Sequence, residues 1–200
     1  MISFDNVSFR YGKQLIADGL SYTFRQGAVT AITGPSGIGK TTLLYLLSKL
    51  YKPYNGKITN DLKTAVIFQE DRLLPWLNAL ENITVTGADE KYARDLLKKF
   101  FPCENVERKY PDELSGGMKQ RISIARALAI HPELLLMDEA FKGLDVQTRS
   151  DVIDLVLTEM KGKTSILITH DDSDLVYCDE HVHISSTPIT ELSLVKSSIQ

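Results

Sequence analysis

The run Gly34-Pro35-Ser36-Gly37-Ile38-Gly39-Lys40-Thr41 constrains this chain more than any other feature of its 200 residues. It satisfies G-x-x-x-x-G-K-[ST] at every defined position. Ahead of it lies Ala28-Val29-Thr30-Ala31-Ile32-Thr33, a short run rich in β-branched residues that reads as a strand. Behind it Lys40 to Leu50 has the length and leucine spacing of a helix. The glycines allow backbone N–H groups to turn inward and form an anion nest, and the helix start adds its positive dipole end. Lys40 supplies a point charge for the β- and γ-phosphates of a nucleotide. The Thr41 hydroxyl, with Thr42 beside it, faces Mg²⁺. A chance glycine turn is the bland alternative, and the flanking strand and helix weigh against it.

The later apolar runs repeat the pattern. Ala65-Val66-Ile67-Phe68, Leu134-Leu135-Leu136-Met137 and Ser165-Ile166-Leu167-Ile168 are continuous rather than alternating, as strands covered on both faces of a parallel sheet are. Helical stretches separate them, including Val146 to Met160. Near the start, Ile2, Phe4, Val7 and Phe9 come close to alternating with polar residues, Tyr11-Gly12-Lys13 reads as a turn, and Leu20 to Phe24 is extended again. From about Asn78 to Leu114 strand-like runs fade, and a polar helix-forming stretch appears at Asp89 to Phe101. The expected architecture is a single α/β domain over 1–200 with a mostly parallel sheet and an N-terminal antiparallel β portion. Its core covers about 1–76 and 122–200, and a helical subdomain is inserted at about 77–121. The last dozen residues are expected to form a short strand and a loose tail.

Composition removes several classes of function. Lys plus Arg is 23 against 26 Asp plus Glu, a net charge of −3, and no basic run exceeds the pairs Lys98-Lys99 and Arg108-Lys109. A general binder of nucleic-acid backbone is therefore not expected. The cysteines Cys103 and Cys178 stand in no CxxC spacing, so neither a disulfide scaffold nor a zinc module is implied. No apolar stretch approaches the ~18 residues of a membrane span. The opening MISFDNVSFRYG has an early acidic residue and no basic-flanked apolar core, so it does not read as a secretory signal.

Two further runs carry chemistry. Asp138-Glu139 puts two carboxylates at the end of a buried strand, where ligands of open α/β sheets sit. Asp138 is placed to hold the Mg²⁺ shell through water, and Glu139 to orient or deprotonate an attacking water. Solvated acids at a strand end are the plain alternative, weakened by the phosphate loop. Leu114-Ser115-Gly116-Gly117-Met118-Lys119-Gln120-Arg121 precedes Ile122, Ala125, Leu128 and Ala129 at helical spacing, with Ser115 a good N-cap. Ser-Gly-Gly before a helix is a second potential anion site, and from the residues alone a simple capped helix is equally admissible.

Taken together, the sequence resembles the ATP-binding cassette (ABC) family over nearly its whole length. Gly34–Thr41 looks like its Walker A and Leu134–Glu139 like its Walker B. Leu114, Ser115, Gly116, Gly117 and Met118 fall in its signature motif. Gln69 looks like the Q-loop glutamine, Leu144-Asp145 the D-loop, and His170 in Thr169-His170-Asp171 the switch histidine. Tyr11 resembles the aromatic that stacks on adenine, although it could instead pack on the sheet. The resemblance implies a P-loop NTPase fold and an ATPase with ATP and Mg²⁺ as cofactors. ATP is held by Tyr11, Gly34, Pro35, Ser36, Gly37, Ile38, Gly39, Lys40, Thr41 and Thr42, and Mg²⁺ by Thr41, Gln69 and Asp138. Glu139, His170 and Gln69 would carry catalysis, with Asp145 in the D-loop. It also implies an ATP-dependent head-to-tail dimer in which the signature acts on the partner's nucleotide. A separate membrane permease and, indirectly, a solute-binding protein complete the expected partners, with the chain peripheral on the cytoplasmic face.

The sequence departs from the family in two places. Ala140 stands where a proline is usual after the glutamate, and Lys142-Gly143 where a small Ser-Ala pair is usual. The run Gln69-Glu70-Asp71-Arg72-Leu73-Leu74-Pro75-Trp76, followed by Glu81-Asn82-Ile83, resembles the nitrate/sulfonate/taurine importer branch. Leu73, Leu74 and Trp76 are expected to offer that branch's permease an apolar surface. Two alternatives remain open on sequence alone. One is a non-transport ABC ATPase acting on nucleic acid or ribosomes. The other is a small-molecule kinase, which leaves LSGGMKQR unexplained.

Overall fold

A computed structural model describes residues 1–197. Two sheets make its frame. The smaller is antiparallel, in the order β2(Gln14–Phe24), β1(Ile2–Tyr11), β4(Asn55–Asn60). The larger has six strands: β5(Thr64–Ile67), β6(Leu134–Asp138), β7(Thr164–Ile168), β3(Val29–Thr33), β8(Glu180–His183) and β9(Ser193–Ser197). All its pairings are parallel except β8 with β9.

Two of the three continuous apolar runs behave as expected of two-faced burial, whereas β5, at the sheet edge, alternates half-buried with buried residues. Every residue of β6 and of β7 is buried. One face packs on α1(Lys40–Leu47) and the antiparallel sheet, through Leu134, Leu136, Ile166 and Ile168 against Leu43, Leu44 and Leu47. The other meets α4(Gly116–Ala129) and α5(Val146–Glu159), through Leu135, Met137 and Leu167 against Ile124, Leu128, Ile153 and Val156.

In β1 the step from Phe4 to Val7 breaks simple alternation because Asn6 sits at φ 51 in a bulge. Ser3 and Ser8 are consequently buried beside the apolar residues, and Ser8 Oγ is satisfied by donating to Asp18 and accepting from Gly19 N–H. The helix expected over 40–50 stops at Leu47. Ser48 caps it, and Lys49 turns the chain away at φ 62.

The inserted region contains α2(Ala79–Thr84) and α3(Glu90–Phe100), each started by a side-chain cap, Asn78 and Asp89. The boundary expected between residues 121 and 122 falls inside α4, which runs unbroken from Gly116 and packs on α2, α3 and β5. One apolar core runs from Ile83, Leu96 and Phe100 through α4 to Ile67 and Met137 of the sheet. The expected terminal strand is β9, and the expected tail at 198–200 lies outside the described residues. No helix among the described residues is long and apolar enough to cross a membrane.

Candidate active site

Strand order builds the site. β5, β6, β7 and β3 are consecutive neighbours and parallel, so the loops leaving their carboxyl ends stand in a row. Those loops carry Gln69, Asp138-Glu139, His170 and the phosphate loop. A cleft of about 490 Å³ opens there, lined by Tyr11, Ser36, Lys40, Thr41, Asp138 and Glu139, with Gln69 and His170 at its edge. This is the placement that open parallel sheets favour for ligands.

The phosphate loop is tightly constrained by its neighbours. Gly34 has φ 146, and a Cβ there would lie 2.6 Å from Ile184 O. Gly39 has φ 113, and its Cβ would lie 2.6 Å from Ile16 Cγ2. Only glycine fits either place without moving the backbone or the packed isoleucine. Gly39 caps α1 without a side-chain bond, and no acidic residue sits in the first turn. The positive end of α1 therefore faces the cleft uncompensated. Lys40 is only 5% exposed. Its Nζ donates to Gly34 O at 2.7 Å and Pro35 O at 2.8 Å, which leaves one N–H for a ligand. Burial lowers its pKa, and the Glu139 and Asp138 carboxylates oppose that shift.

Asp138 is 3% exposed at the end of β6. Burial raises its pKa, partly offset by a bond from the Thr41 side chain and by the Lys40 and His170 charges. A buried carboxylate bonded to a threonine hydroxyl, both oxygen donors beside a phosphate loop, suits a hard cation. Among the described residues no cluster of three or more His, Cys, Asp or Glu could hold a metal by itself. Mg²⁺ takes few protein ligands and completes its shell with phosphates and water.

Glu139 occupies the left-handed region at φ 47, and its N–H donates to Ile168 O at 3.0 Å. Ala140, which replaces the usual proline, is fully buried, and its carbonyl accepts from Gln120 Nε2 at 2.6 Å. The glutamate carboxylate gathers three partners. Gln69 Nε2 lies 3.3 Å and Lys142 Nζ 2.7 Å from Oε2, and His170 Nε2 lies 3.3 Å from Oε1. Gln69, Glu139 and His170 are thus one cluster, although up to 101 positions separate them in sequence (170 − 69). Arg149, in the first turns of α5, ion-pairs with Asp171 and Asp174 and so braces the loop that carries His170.

Tyr11, the signature residues and Asp145 take different positions relative to the cleft. Tyr11 is at the rim, but its hydroxyl bonds Thr42 Oγ1 at 3.2 Å and its ring packs edge-on against Phe9 and Tyr51. Its ring belongs to an aromatic cluster as well as to the cleft. The signature residues do not line the cleft of their own chain. Ser115 caps α4, accepting from Met118 N–H at 3.3 Å, while Ser115 and Gly116 are exposed and Leu114 is buried in the core. Asp145 caps α5 through Thr148 N–H at 3.0 Å, which lowers its pKa, and it too stands outside the cleft. The sequence reading missed the Lys142–Glu139 ion pair, the Arg149 brace and the Gln120–Ala140 bond. The i,i+3 spacing of Glu139 and Lys142 was the one available signal.

A phosphate loop, a buried aspartate bonded to its threonine and a glutamate held by glutamine and histidine at one end of a parallel sheet define a P-loop ATPase. Residues 17–142 match the ABC transporter family. An aliphatic sulfonates import ATP-binding protein, SsuB, of Bacillus cereus is 36% identical over 203 residues, covering 92% of this chain and 81% of that protein. The glutamine transport ATP-binding protein GlnQ of Escherichia coli is 38% identical over 197 residues, covering 86% and 81%. The dimeric post-hydrolysis structure of the ATP-binding cassette MJ0796, bound to ADP and Pi, superposes with a TM-score of 0.84 at 29% identity, covering 100% of both chains. This chain belongs to the ABC transporter family and is an ATP-binding, ATP-hydrolysing cassette of it.

Proposed function

We propose that the chain powers an importer of a small organic anion of the aliphatic sulfonate type, as one of two ATPase copies on the cytoplasmic face of a membrane permease. The observation that carries the reading is the division of its functional groups. Glu139, Gln69 and His170 converge on the phosphate loop, while Ser115 and Gly116 stand exposed away from that cleft. A head-to-tail dimer uses both halves, each Ser-Gly-Gly helix start closing over the γ-phosphate held by the other copy.

In this reading Gly34–Gly39, Lys40, Thr41 and Thr42 bind the phosphates, and Thr41, Asp138 and Gln69 hold Mg²⁺, which neutralises phosphate charge when bound. Glu139 accepts a proton from water. The water oxygen bonds to the γ-phosphorus, the bridging P–O bond breaks, and ADP and phosphate leave. His170 positions the water and the γ-phosphate. An indirect third partner is a solute-binding protein.

The permease contact is read from the segment after Gln69. Trp76 is 69% exposed. Leu73, expected to share that surface, instead packs against the core, and Leu74 is half-buried with its backbone bonded to Asn82. Beside the segment a groove of about 430 Å³ runs along edge strand β5, lined by Leu50, Val66, Phe68 and Ile130. Arg126 on α4 donates to the carbonyls of Asp71 and Arg72 and ties the segment to the signature helix. A short permease helix suits such a groove.

Two experiments test the reading. Trp76→Ala is expected to leave ATPase of the free subunit within about three-fold while reducing transport by the assembled permease at least ten-fold, as loss of an aromatic anchor does. Unchanged transport moves the contact elsewhere. Deleting the gene is expected to stop uptake of an alkanesulfonate and spare glutamine. The reverse outcome reassigns the substrate to the amino-acid class.

A further inference from the structure

We propose that Lys142 is a positioning residue for hydrolysis: its ion pair restrains the Glu139 carboxylate from taking a proton from water until the signature face is engaged. The inference rests on the reading of Glu139 as the base.

A carboxylate offers about four lone-pair sites. In this chain Lys142 and Gln69 take Oε2 and His170 approaches Oε1, so little of the acceptor capacity faces a water. The Lys142 bond, at 2.7 Å, is the shortest of the three, and it is an ammonium–carboxylate ion pair. In the proposed function Gln69 and His170 act on nucleotide and water, whereas Lys142 stands where the family resemblance has a small residue. The backbone favours the pairing: Lys142 N–H donates to Glu139 O at 3.1 Å, and this tight turn folds the lysine back over the glutamate.

An alternative position for the ammonium exists next door. A second cavity of about 520 Å³ adjoins the cleft at Glu139, Lys142 and His170, and its lining includes Asp172 and Asp171, the latter already paired with Arg149. Lys142 is 66% exposed and can swing between the two carboxylate groups without disturbing the core. The trigger is built into the chain. Leu144 lies against signature Gly117, where an added Cβ would come within 3.4 Å of its Cδ2. Gln120 of the same helix holds Ala140 O, so the 139–144 turn is gripped by α4 at two points. A nucleotide of the partner copy pressing on Ser115–Gly117 therefore acts on the turn that carries both Glu139 and Lys142.

The test is steady-state ATPase of the full chain carrying Lys142→Met, Lys142→Arg, and Lys142→Met combined with Glu139→Gln. Lys142→Met is expected to raise kcat about two- to five-fold, the range open to an exposed ion pair, with KM for ATP unchanged. Lys142→Arg keeps the pair and is expected to stay at the parent rate. In the Glu139→Gln background the lysine change is expected to have no effect. A fall or no change in kcat for Lys142→Met, a rise in KM, or an equal rise for Lys142→Arg overturns the proposal. The Glu139→Gln single variant is read separately. Near-parent activity there removes Glu139 as base, whatever Lys142 does.

Discussion

Two helix starts in this molecule offer the same backbone chemistry and meet different surroundings. α1 begins at Gly39 with no side-chain cap, and the walls of its cleft are Lys40, Thr41, Asp138 and Glu139. α4 begins at Ser115 with a weak 3.3 Å cap, and around it Ser115 and Gly116 face open space. Both present free N–H groups and a positive dipole end. The first has the Lys40 ammonium and the Asp138 and Glu139 carboxylates already converged on it. The second has only a hydroxyl and bare backbone. An enclosed helix start is a complete site, and an open one is half a site that needs a second molecule to supply the rest.

The largest expected effect sharpens the enclosed half. Glu139→Gln keeps the shape but removes the base, so ATP hydrolysis is expected to fall roughly 10²- to 10⁴-fold while ATP still binds. Gel filtration of that variant with ATP should show a lasting dimer, and a monomer would break the comparison. Next comes the open half. Ser115→Arg puts a bulky cation where two surfaces must close. Hydrolysis is expected to drop on the order of 10²-fold, the usual cost of spoiling an electrostatic clamp on a reacting oxyanion. ATP affinity of the monomer should be unchanged by calorimetry. Weaker binding in the monomer would mean that Ser115 serves its own cleft.

The smallest effects concern stability, and they have opposite signs. Asp138 has its pKa raised by burial. A group raised in the fold stabilises it at low pH and loses that contribution as pH rises through the folded value, so at neutral pH its charge is a cost. Asp138→Asn is therefore expected to raise the melting temperature at pH 7 while abolishing Mg²⁺-dependent turnover. Ser115→Ala removes only a cap, and is expected to cost about 1 kcal/mol, measured by urea unfolding. If both substitutions destabilise, Asp138 is a structural hydrogen-bonding group and the enclosed site has been misread.

Much of the site was legible because phosphate chemistry demands particular residues at fixed spacing. Gly34 lies too close to backbone, and Gly39 too close to the Ile16 side chain, to carry a Cβ, and Lys40-Thr41 must follow them directly. The apolar runs of the parallel strands were equally legible, since burial on two faces selects Leu134-Leu135-Leu136-Met137 in β6 and Ile166-Leu167-Ile168 in β7, beside the buried polar Asp138, Thr164 and Ser165. The helical insertion was read from its change of composition, but its edge was not legible. α4 crosses residue 121 because its apolar side chains serve α2, α3 and the sheet together.

What the linear chain determined by itself was therefore local: the phosphate loop, the strands around it and the cap at Ser115. These rest on backbone geometry and hydrogen bonds between near neighbours. Tertiary structure alone decided that β5, β6, β7 and β3 stand side by side, which brings Gln69, Glu139 and His170 together. It also decided that Tyr11 joins Phe9 and Tyr51, that Leu73 turns inward while Trp76 stays out, and that Lys142 closes on the glutamate. These outcomes depend on strand order and on competition for limited buried space, and residue spacing along the chain encodes neither.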